Sequence, residues 1–313
     1  MLVAGVDVGG TNIGVGLVDA RHRVRERDRR GTPQSSPQAI AGVIVEMIEA
    51  LGDVPSAVGL GIPGVIHRGR VVEVPNLAGW DKTFDIVGEL QDHFGIPVAL
   101  ANDANLGLIG EWLAGAAVGH DNVLGVWMGT GIGGGLILDG RPFFGSRGSA
   151  GEIGHVITRH GGALCSCGRR GCIEAYAGRG SLARIASSMI DAGRHTSLLE
   201  IQQDERKATL TSKVWARALD EGDELAIELF DTAIEVVAVG VGSIANVLDV
   251  GLVVVGGGMA EKLGQSLADR IGREARPWML HANPDLTFVA AALGDDSGLV
   301  GAAWLGRALV IDG

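Results

Sequence analysis

The sequence GGTNIGVGLVD, at residues 9–19, has a counterpart later in the chain, GTGIGGGLILD at residues 129–139. Each stretch contains a glycine turn, an apolar run with the composition of a strand, and an aspartate ten residues after the first glycine. Self-similarity of this kind is typical of a duplicated domain, in which each half begins with a strand, a glycine turn and a second strand. A chance match is the alternative explanation, because the chain contains 51 glycines.

The segments around the two turns alternate between strand and helix patterns. Short apolar runs bounded by glycine or proline, at residues 57–62, 98–101 and 252–255, are typical of buried parallel strands. Residues 37–51 and 224–247 place apolar side chains at helical spacing. Strands that alternate with helices predict an α/β fold. No linker rich in proline or serine separates the halves, so we expect two lobes packed around a shared cleft.

Composition limits the classes of protein to which this chain can belong. Its 313 residues, 46% hydrophobic and 20% charged, are sufficient for a large globular core. The formal charge of −11 disfavours binding to nucleic acid or anionic membranes, and we interpret the arginines of residues 21–30 as a solvated hairpin and loop. The chain starts without the basic segment of a secretory signal, and no uncharged stretch is long enough to span a bilayer. We therefore expect a cytoplasmic protein with no nucleic-acid or membrane partner.

A nucleotide is the ligand that the glycine turns suit best. Phosphate oxygens require several backbone N–H groups directed at one point, and glycine permits that close approach. Asp7, just before the first turn, is placed to orient Mg²⁺ or its water ligands, and a third turn at residues 256–258 suits adenosine. Taken singly, each glycine turn is equally typical of an ordinary tight turn. The sequence has neither a Walker A pattern nor the Rossmann pattern after its first strand, which disfavours those two nucleotide-binding folds. The predicted nucleotide-binding residues are Asp7, Gly9, Gly10, Thr11, Asn12, Gly129, Thr130, Gly131, Gly133, Gly256, Gly257 and Gly258.

The three cysteines lie together in CSCGRRGC, residues 165–172, and a histidine precedes them by ten residues. Three thiolates and one imidazole form the closed donor set of a structural Zn²⁺ site. Gly168 and Gly171 would allow the loop to fold back on the metal. Unligated cysteines and a redox pair are the alternatives, although a redox pair more often has two residues between its cysteines. The predicted zinc ligands are His155, Cys165, Cys167 and Cys172.

Several polar side chains lie near these motifs. Asp103 follows Asn102 at the carboxyl end of a predicted strand, where open α/β sheets bind ligands. Glu152 precedes His155 by one helical turn, and Glu174 follows the last cysteine by two residues, so the metal loop would bring these three together. Carboxylates beside an asparagine amide suit a polyhydroxylated ligand. Taken singly, each residue is more typical of a helix cap or a surface charge, and only their joint arrangement favours a ligand site.

These motifs resemble those of the ROK family, which contains sugar kinases and related repressors. The similarity extends over essentially the whole chain and depends on DVGGT at 7–11, NDAN at 102–105, GTGIGG at 129–134, GEIGH at 151–155 and CxCGxxGCxE at 165–174. The cysteine motif, with its upstream histidine, is the most specific of them.

The resemblance implies an actin-like (ribonuclease H-like) ATPase fold, with two α/β lobes around a nucleotide cleft. We predict a small lobe from residues 1–103 plus 298–313, and a large lobe, 104–297, that carries the zinc loop. Members of the family are commonly dimers or tetramers, so we expect a homodimer or a homotetramer.

The resemblance also assigns roles to the candidate residues. ATP would bind with Mg²⁺, and Asp103 would be the catalytic base that takes the proton of the primary hydroxyl of the sugar. His155 would bind zinc through one ring nitrogen and the sugar through the other. Two positions depart from the family, with Asn12 where many members have lysine and His67 where kinases often have an acidic residue. The predicted sugar-binding residues are Gly64, Asn76, Asn102, Asp103, Glu152, His155 and Glu174.

We therefore predict an ATP-dependent kinase that phosphorylates the 6-hydroxyl of glucose. Kinases for N-acetylmannosamine, N-acetylglucosamine or fructose are alternatives within the family, and polyphosphate could replace ATP. A sugar-sensing repressor would carry an N-terminal helix-turn-helix domain, whereas the first predicted strand begins at Leu2. A non-catalytic actin-like scaffold would require neither Asn102-Asp103 nor the zinc loop.

Overall fold

The computed structural model of the protein describes residues 1–67, 69–74, 77, 80, 83–280 and 283–311. Its strands are β1 (Val3–Val8), β2 (Asn12–Val18), β3 (Val24–Gly31), β4 (Val58–Ile62), β5 (Val65–His67), β6 (Arg70–Glu73), β7 (Val98–Asn102), β8 (Val123–Met128), β9 (Ile132–Leu138), β10 (Arg141–Pro142), β11 (Leu252–Gly256) and β12 (Thr287–Ala290). Its α-helices are α1 (Pro37–Glu49), α2 (Ile86–Phe94), α3 (Asp103–Ala114), α4 (Glu174–Ala177), α5 (Arg179–Asp191), α6 (Leu198–Asp204), α7 (Ser212–Asp220), α8 (Glu224–Leu248), α9 (Gly258–Leu263), α10 (Gln265–Ala275) and α11 (Asp296–Ile311).

Two five-stranded sheets have corresponding strand orders, β3-β2-β1-β4-β7 and β10-β9-β8-β11-β12. In the first sheet, β1 pairs antiparallel with β2 and parallel with β4. In the second sheet, β11 pairs parallel with both β8 and β12. The correspondence confirms the internal repeat and the α/β fold. The arginine-rich segment predicted as a solvated hairpin and loop forms the turn after β2 and the largely exposed strand β3, which pairs antiparallel with β2 and completes a hairpin.

The chain divides into two compact units. The first unit consists of Met1–Asp121, Gly135–Gly151 and Ala292–Gly313, and the second consists of Asn122–Gly134 and Glu152–Ala291. Helix α3 falls in the first unit, although the lobe boundary predicted after residue 103 assigns it to the large lobe. These units need not coincide with the lobes of an actin-like fold, and the lobe boundaries stay a prediction. Among the described residues, no helix combines the length and apolarity needed to cross a bilayer.

Helix α11 packs at backbone distance against β1, β4 and α3 in the first unit. A Cβ atom on Gly5 would collide with the carbonyl of Leu299, and one on Gly59 would collide with the carbonyl of Ala302. Gly110 of α3 faces α11 in the same way. These glycines lie in two strands and a helix and not in turns. Part of the high glycine content therefore serves helix packing, a use that the sequence did not predict.

Helix α8 forms much of the core of the second unit. Asp223 caps its first turn by accepting a hydrogen bond from the N–H of Ala226 at 2.7 Å. Val236, Val237 and Val241 are buried, as the apolar spacing of this segment predicts. The helix covers Glu224–Leu248, which confirms the prediction over residues 224–247 within one residue.

Candidate functional site

The first unit places Asn102 and Asp103 at the carboxyl end of β7, where α3 begins. The Asn102 Oδ1 atom accepts a hydrogen bond from the N–H of Asn105 at 3.1 Å, so this side chain caps α3. Its Nδ2 atom donates to the carbonyl of Gly64 at 3.1 Å, and Gly64 has a positive φ of 117°. The structure therefore brings Gly64, Asn102 and Asp103 together. The capping contact and the predicted sugar contact are compatible, because the amide retains a second N–H.

Asp7 lies near Asp103 in the same unit and is surrounded mainly by negative charge. Burial first, and then the charges of Asp103 and Asp295, raise the pKa of Asp7 to about 7, against the opposing charge of Arg29. Three carboxylates and one arginine thus share this part of the first unit. Oxygen-rich groups of this kind suit a divalent cation such as Mg²⁺.

Arg29 and Asp295 are residues that the sequence analysis missed. Asp7 pairs with Gly14 across β1 and β2, and Gly14 pairs with Arg29 across β2 and β3. Residues directly opposite in a sheet have their side chains on one face, and Gly14 places no side chain between those of Asp7 and Arg29. Arg29 forms an ion pair with Asp295, just before α11. Asp7, Arg29 and Asp295 are far apart in the sequence, so strand register and the position of α11 are needed to reveal that they lie together.

The first glycine turn joins β1 to β2 and is held by the segment after β3. The Gly9 N–H donates to the Asn12 carbonyl at 2.8 Å, which closes the turn. The Thr32 hydroxyl donates to the Gly9 carbonyl at 2.6 Å, and Gln34 Nε2 donates to the Gly10 carbonyl at 3.1 Å. Gly10 and Thr11 are exposed. Their backbone is therefore accessible to a ligand, as a phosphate-binding role requires.

The second and third glycine turns lie side by side in the second unit. Gly256, the last residue of β11, pairs with Trp127 of β8, so both strands end at the same edge. The Gly129 N–H donates to the Gly131 carbonyl at 3.0 Å, which closes the second turn. Gly257 has a φ of 83° and no room for a Cβ beside the Met128 carbonyl. These turns are more than 120 residues apart in the sequence, and the parallel pairing of β8 with β11 brings them together.

The three cysteines and His155 form one cluster, and their donor atoms all lie within 4.8 Å of one another. His155 Nδ1 is 3.7 Å from Cys165 Sγ, and the Cys167 and Cys172 sulfurs are 3.8 Å apart. Tetrahedral Zn²⁺ with Zn–S bonds of about 2.3 Å places its sulfur ligands about 3.8 Å apart. The donor set and its spacing therefore fit the predicted zinc site. Gly168 and Gly171 have φ values of 81° and 89°, as the predicted fold of the loop requires.

Arg169 affects the ionisation of this cluster. Burial opposes ionisation of Cys167, but hydrogen bonds from the Arg169 backbone and guanidinium outweigh it, and the pKa of Cys167 falls to about 6. Burial and the neighbouring thiols raise the pKa of Cys172 to about 12. One thiolate is thus available at neutral pH, and thiolates are the form in which cysteine binds metals.

Glu152, His155 and Glu174 lie around the cysteine cluster. Burial raises the pKa of Glu152. His155 lowers it in part, and the charge of Glu174 adds to the increase. Glu174 Oε1 accepts a hydrogen bond from Ser166 Oγ at 3.0 Å, and Oε2 accepts one from the Ile132 N–H at 3.0 Å. Glu174 therefore joins the cysteine loop to the second glycine turn. His155 directs Nδ1 at the thiols, which leaves Nε2 as the ring atom for another ligand.

Two further positions were singled out from the sequence. Asn76, a predicted sugar contact, lies outside the described residues. His67, where kinases of the resembling family often have an acidic residue, places Nδ1 3.1 Å from the Arg147 carbonyl. That contact joins β5 to the segment after β10, so His67 has a structural partner within the first unit.

Comparisons with known proteins give the same result as the motifs. The model of the ROK family matches residues 3–308. The chain is 33% identical to a glucokinase of Streptomyces coelicolor over 313 residues, with 98% of each chain covered. It is 31% identical to an N-acetylmannosamine kinase of Citrobacter koseri over 312 residues, with 98% of this chain and 99% of that one covered. The structure of a ROK family glucokinase from Streptomyces griseus, in complex with glucose and AMPPNP, has a TM-score of 0.84 and 32% identity, and 98% of this chain and 99% of that one are covered.

Proposed function

Because this chain belongs to the ROK family, we propose that it is an ATP-dependent glucokinase, which transfers the γ-phosphoryl group of ATP to the 6-hydroxyl of glucose. The chain has the actin-like ATPase fold with two α/β lobes. The observation that carries the proposal is the placement of Asp103 directly after Asn102, at the end of β7 and near Asp7. A carboxylate in that position is suited to act as a base on a hydroxyl group.

In the proposed reaction, Asp103 accepts the proton of the glucose 6-hydroxyl while that oxygen attacks the γ-phosphorus. The new P–O6 bond forms as the bond between the γ-phosphorus and the oxygen bridging to the β-phosphate breaks, and ADP leaves. General base catalysis of this kind contributes roughly 10²–10⁴ in rate. Asp7 orients the cation and its water ligands. Mg²⁺, when bound, neutralises charge on the phosphates.

Glucose recognition is assigned to acceptors that match a series of hydroxyl donors. The proposed contacts are Asn102, Glu152, His155 and Glu174, with Gly64 and Asn76 as further ones. Zn²⁺ on the cysteine cluster would fix the His155 ring through Nδ1 and direct Nε2 to a sugar hydroxyl. The geometry of the four donor atoms supports this part of the proposal.

The test is an ADP-release assay with Mg·ATP across glucose, mannose, fructose, N-acetylglucosamine and N-acetylmannosamine. We expect kcat/KM for glucose to exceed the others by about tenfold or more, because specificity is the ratio of these constants. If an N-acetyl sugar or fructose has the highest value, the proposed substrate is wrong. If no sugar is phosphorylated with Mg·ATP, the proposal of an ATP-dependent kinase is wrong.

We also propose a homodimer or a homotetramer, the common assemblies of the family, and a cytoplasmic location, which the composition favours. Light scattering of the purified chain measures the oligomeric state directly, and a monomer at micromolar concentration contradicts the proposal.

A further inference from the structure

Arg179, the first residue of α5, is a half-buried cation held by hydroxyl groups. Its Nη1 atom donates a hydrogen bond to Ser212 Oγ, and its Nη2 atom donates one to Thr130 Oγ1, both at 2.9 Å. In the part of the chain that the structure describes, no carboxylate forms an ion pair with it. Burial alone lowers the pKa of Arg179. The positive charge of this side chain is therefore not neutralised by the protein around it.

The position of Arg179 is determined by the second and third glycine turns. Its backbone N–H donates to the Gly129 carbonyl at 3.1 Å, and the next N–H donates to the Thr130 carbonyl at 3.0 Å. A Cβ atom on Gly258 would lie 2.8 Å from Ser212 Oγ and 3.7 Å from an Arg179 guanidinium nitrogen. The guanidinium thus lies between the two turns, and the first N–H groups of α5 are already used.

The remaining donors of this guanidinium match a phosphate group. Arginine has five N–H donors in a planar fork that suits two phosphate oxygens, and the two described hydrogen bonds use two of them. Neither glycine turn contains a lysine or an arginine, and Asn12 supplies no charge at the first turn. A chain with a net charge of −11 needs a local cation to hold a polyanionic ligand.

We propose that Arg179 binds the phosphate chain of the nucleotide and supplies the positive charge that the glycine turns lack. This inference rests on the proposed function, because it takes ATP as the ligand. Hydroxyl partners hold the guanidinium in place without a counterion, so that phosphate binding breaks no ion pair. Arg179 is then a binding residue for the nucleotide and not for the sugar.

Calorimetric titration with ADP and with adenosine tests this inference on the zinc-loaded protein. We expect Arg179→Gln to weaken ADP binding by about 10- to 100-fold, the usual effect of losing a hydrogen bond to a charged group. Adenosine lacks phosphate, so its affinity should change by less than about twofold. Arg179→Lys retains the charge but loses the fork, and we expect an intermediate loss. In kinetics, KM for Mg·ATP rises in Arg179→Gln while KM for glucose does not.

The matched control is Arg184→Gln, which removes the same charge from an exposed position five residues further along α5. It should leave ADP affinity unchanged. Unaltered ADP binding in Arg179→Gln overturns the inference, and so does an equal loss of ADP and adenosine binding, which indicates a structural role. If Arg179→Gln does not fold, the ADP-to-adenosine ratio in Arg179→Lys decides instead. A wild-type protein that binds no ADP overturns the proposed function, whereas normal turnover with insensitive variants overturns only this inference.

Discussion

The two five-stranded sheets have the same strand order, yet they contribute different chemistry at the same position. Asp7 is the second residue before the first glycine turn, and Trp127 is the second residue before the second turn. Asp7 lies in a group of carboxylates, whereas Trp127 packs beside Gly125 and Gly256. The repeated backbone places glycine turns at the ends of corresponding strands, and the side chains next to each turn determine what it can bind.

The two units also hold their polar residues in different ways. In the first unit, Asp7 and Asp103 lie at strand ends, and α11 packs on glycine backbone behind them. In the second unit, Glu152 and Glu174 lie beside four potential metal ligands, one of which is His155, and Glu174 begins the one-turn helix α4. Regular packing fixes the first group, and a metal-linked loop would fix the second. The following predictions separate these two means of support, in order of decreasing effect.

Replacing Asp103 should have the largest effect on activity and little effect on structure. We expect Asp103→Ala to lose about 10³-fold or more in kcat, because it removes the proposed base. The zinc content should be unchanged, since Asp103 lies in the other unit from the cysteines. Steady-state kinetics with glucose and metal analysis provide the two measurements. Near-normal turnover in this variant would show that another group acts as the base.

Removing the metal should disturb the second unit. Cys172 is fully buried, so Cys172→Ser should lose zinc and reduce the free energy of unfolding by about 3 kcal/mol or more. We also expect KM for glucose to rise, because His155 and Glu174 lose their common support. Chemical denaturation measures the free energy of unfolding, zinc release to a chelator measures the metal content, and steady-state kinetics give KM for glucose. Leu164→Ala is a control at an exposed position in the same loop, and zinc retained in Cys172→Ser at full stoichiometry would contradict the ligand assignment.

The packing of α11 can be tested with two glycines of the first unit. Gly59→Ala should destabilise the protein by about 1–3 kcal/mol, because its Cβ collides with backbone that has no alternative position. Gly42 of α1 has no atom within 4 Å of its Cβ position, so Gly42→Ala should stabilise by about 0.5–1 kcal/mol through helix propensity. Opposite signs in denaturant titrations confirm the distinction. Equal effects would indicate that α11 is not closely packed.

The carboxylate group around Asp7 should make stability depend on pH. The folded pKa of about 7 exceeds the ordinary value of 3.8, so the folded protein binds this proton more tightly than the unfolded chain. Stability is therefore lost as the pH rises from about 4 to about 7. Asp7→Asn should be more stable than wild type at pH 8 by about 1–3 kcal/mol, since each pKa unit corresponds to roughly 1.4 kcal/mol and Asp7 is partly exposed. Thermal unfolding at pH 5 and pH 8 measures the change, and an advantage that does not grow with pH argues against the raised pKa.

Motifs that are continuous in the sequence allowed much of the fold and candidate site to be predicted. The two glycine turns, the strands on either side and the internal repeat follow from local spacing, because strand alternation and turn chemistry depend on neighbouring residues. The cysteine cluster is similarly local, with its ligands between residues 155 and 172. Asn102 and Asp103 are predictable for the same reason, since a strand end followed by a helix start is visible in one short segment.

Other features depend on contacts between segments that are distant in the sequence. Gly5 and Gly59 owe their identity to α11, more than 240 residues later, and Arg29 reaches Asp295 only through strand register. Arg179 lies beside Ser212 because α5 and α7 both meet the edge formed by β8 and β11. Local sequence determines which residues can turn, cap or bind, since those properties depend on side-chain chemistry and nearby backbone. Which of them meet is decided by packing between segments, and no local pattern records it.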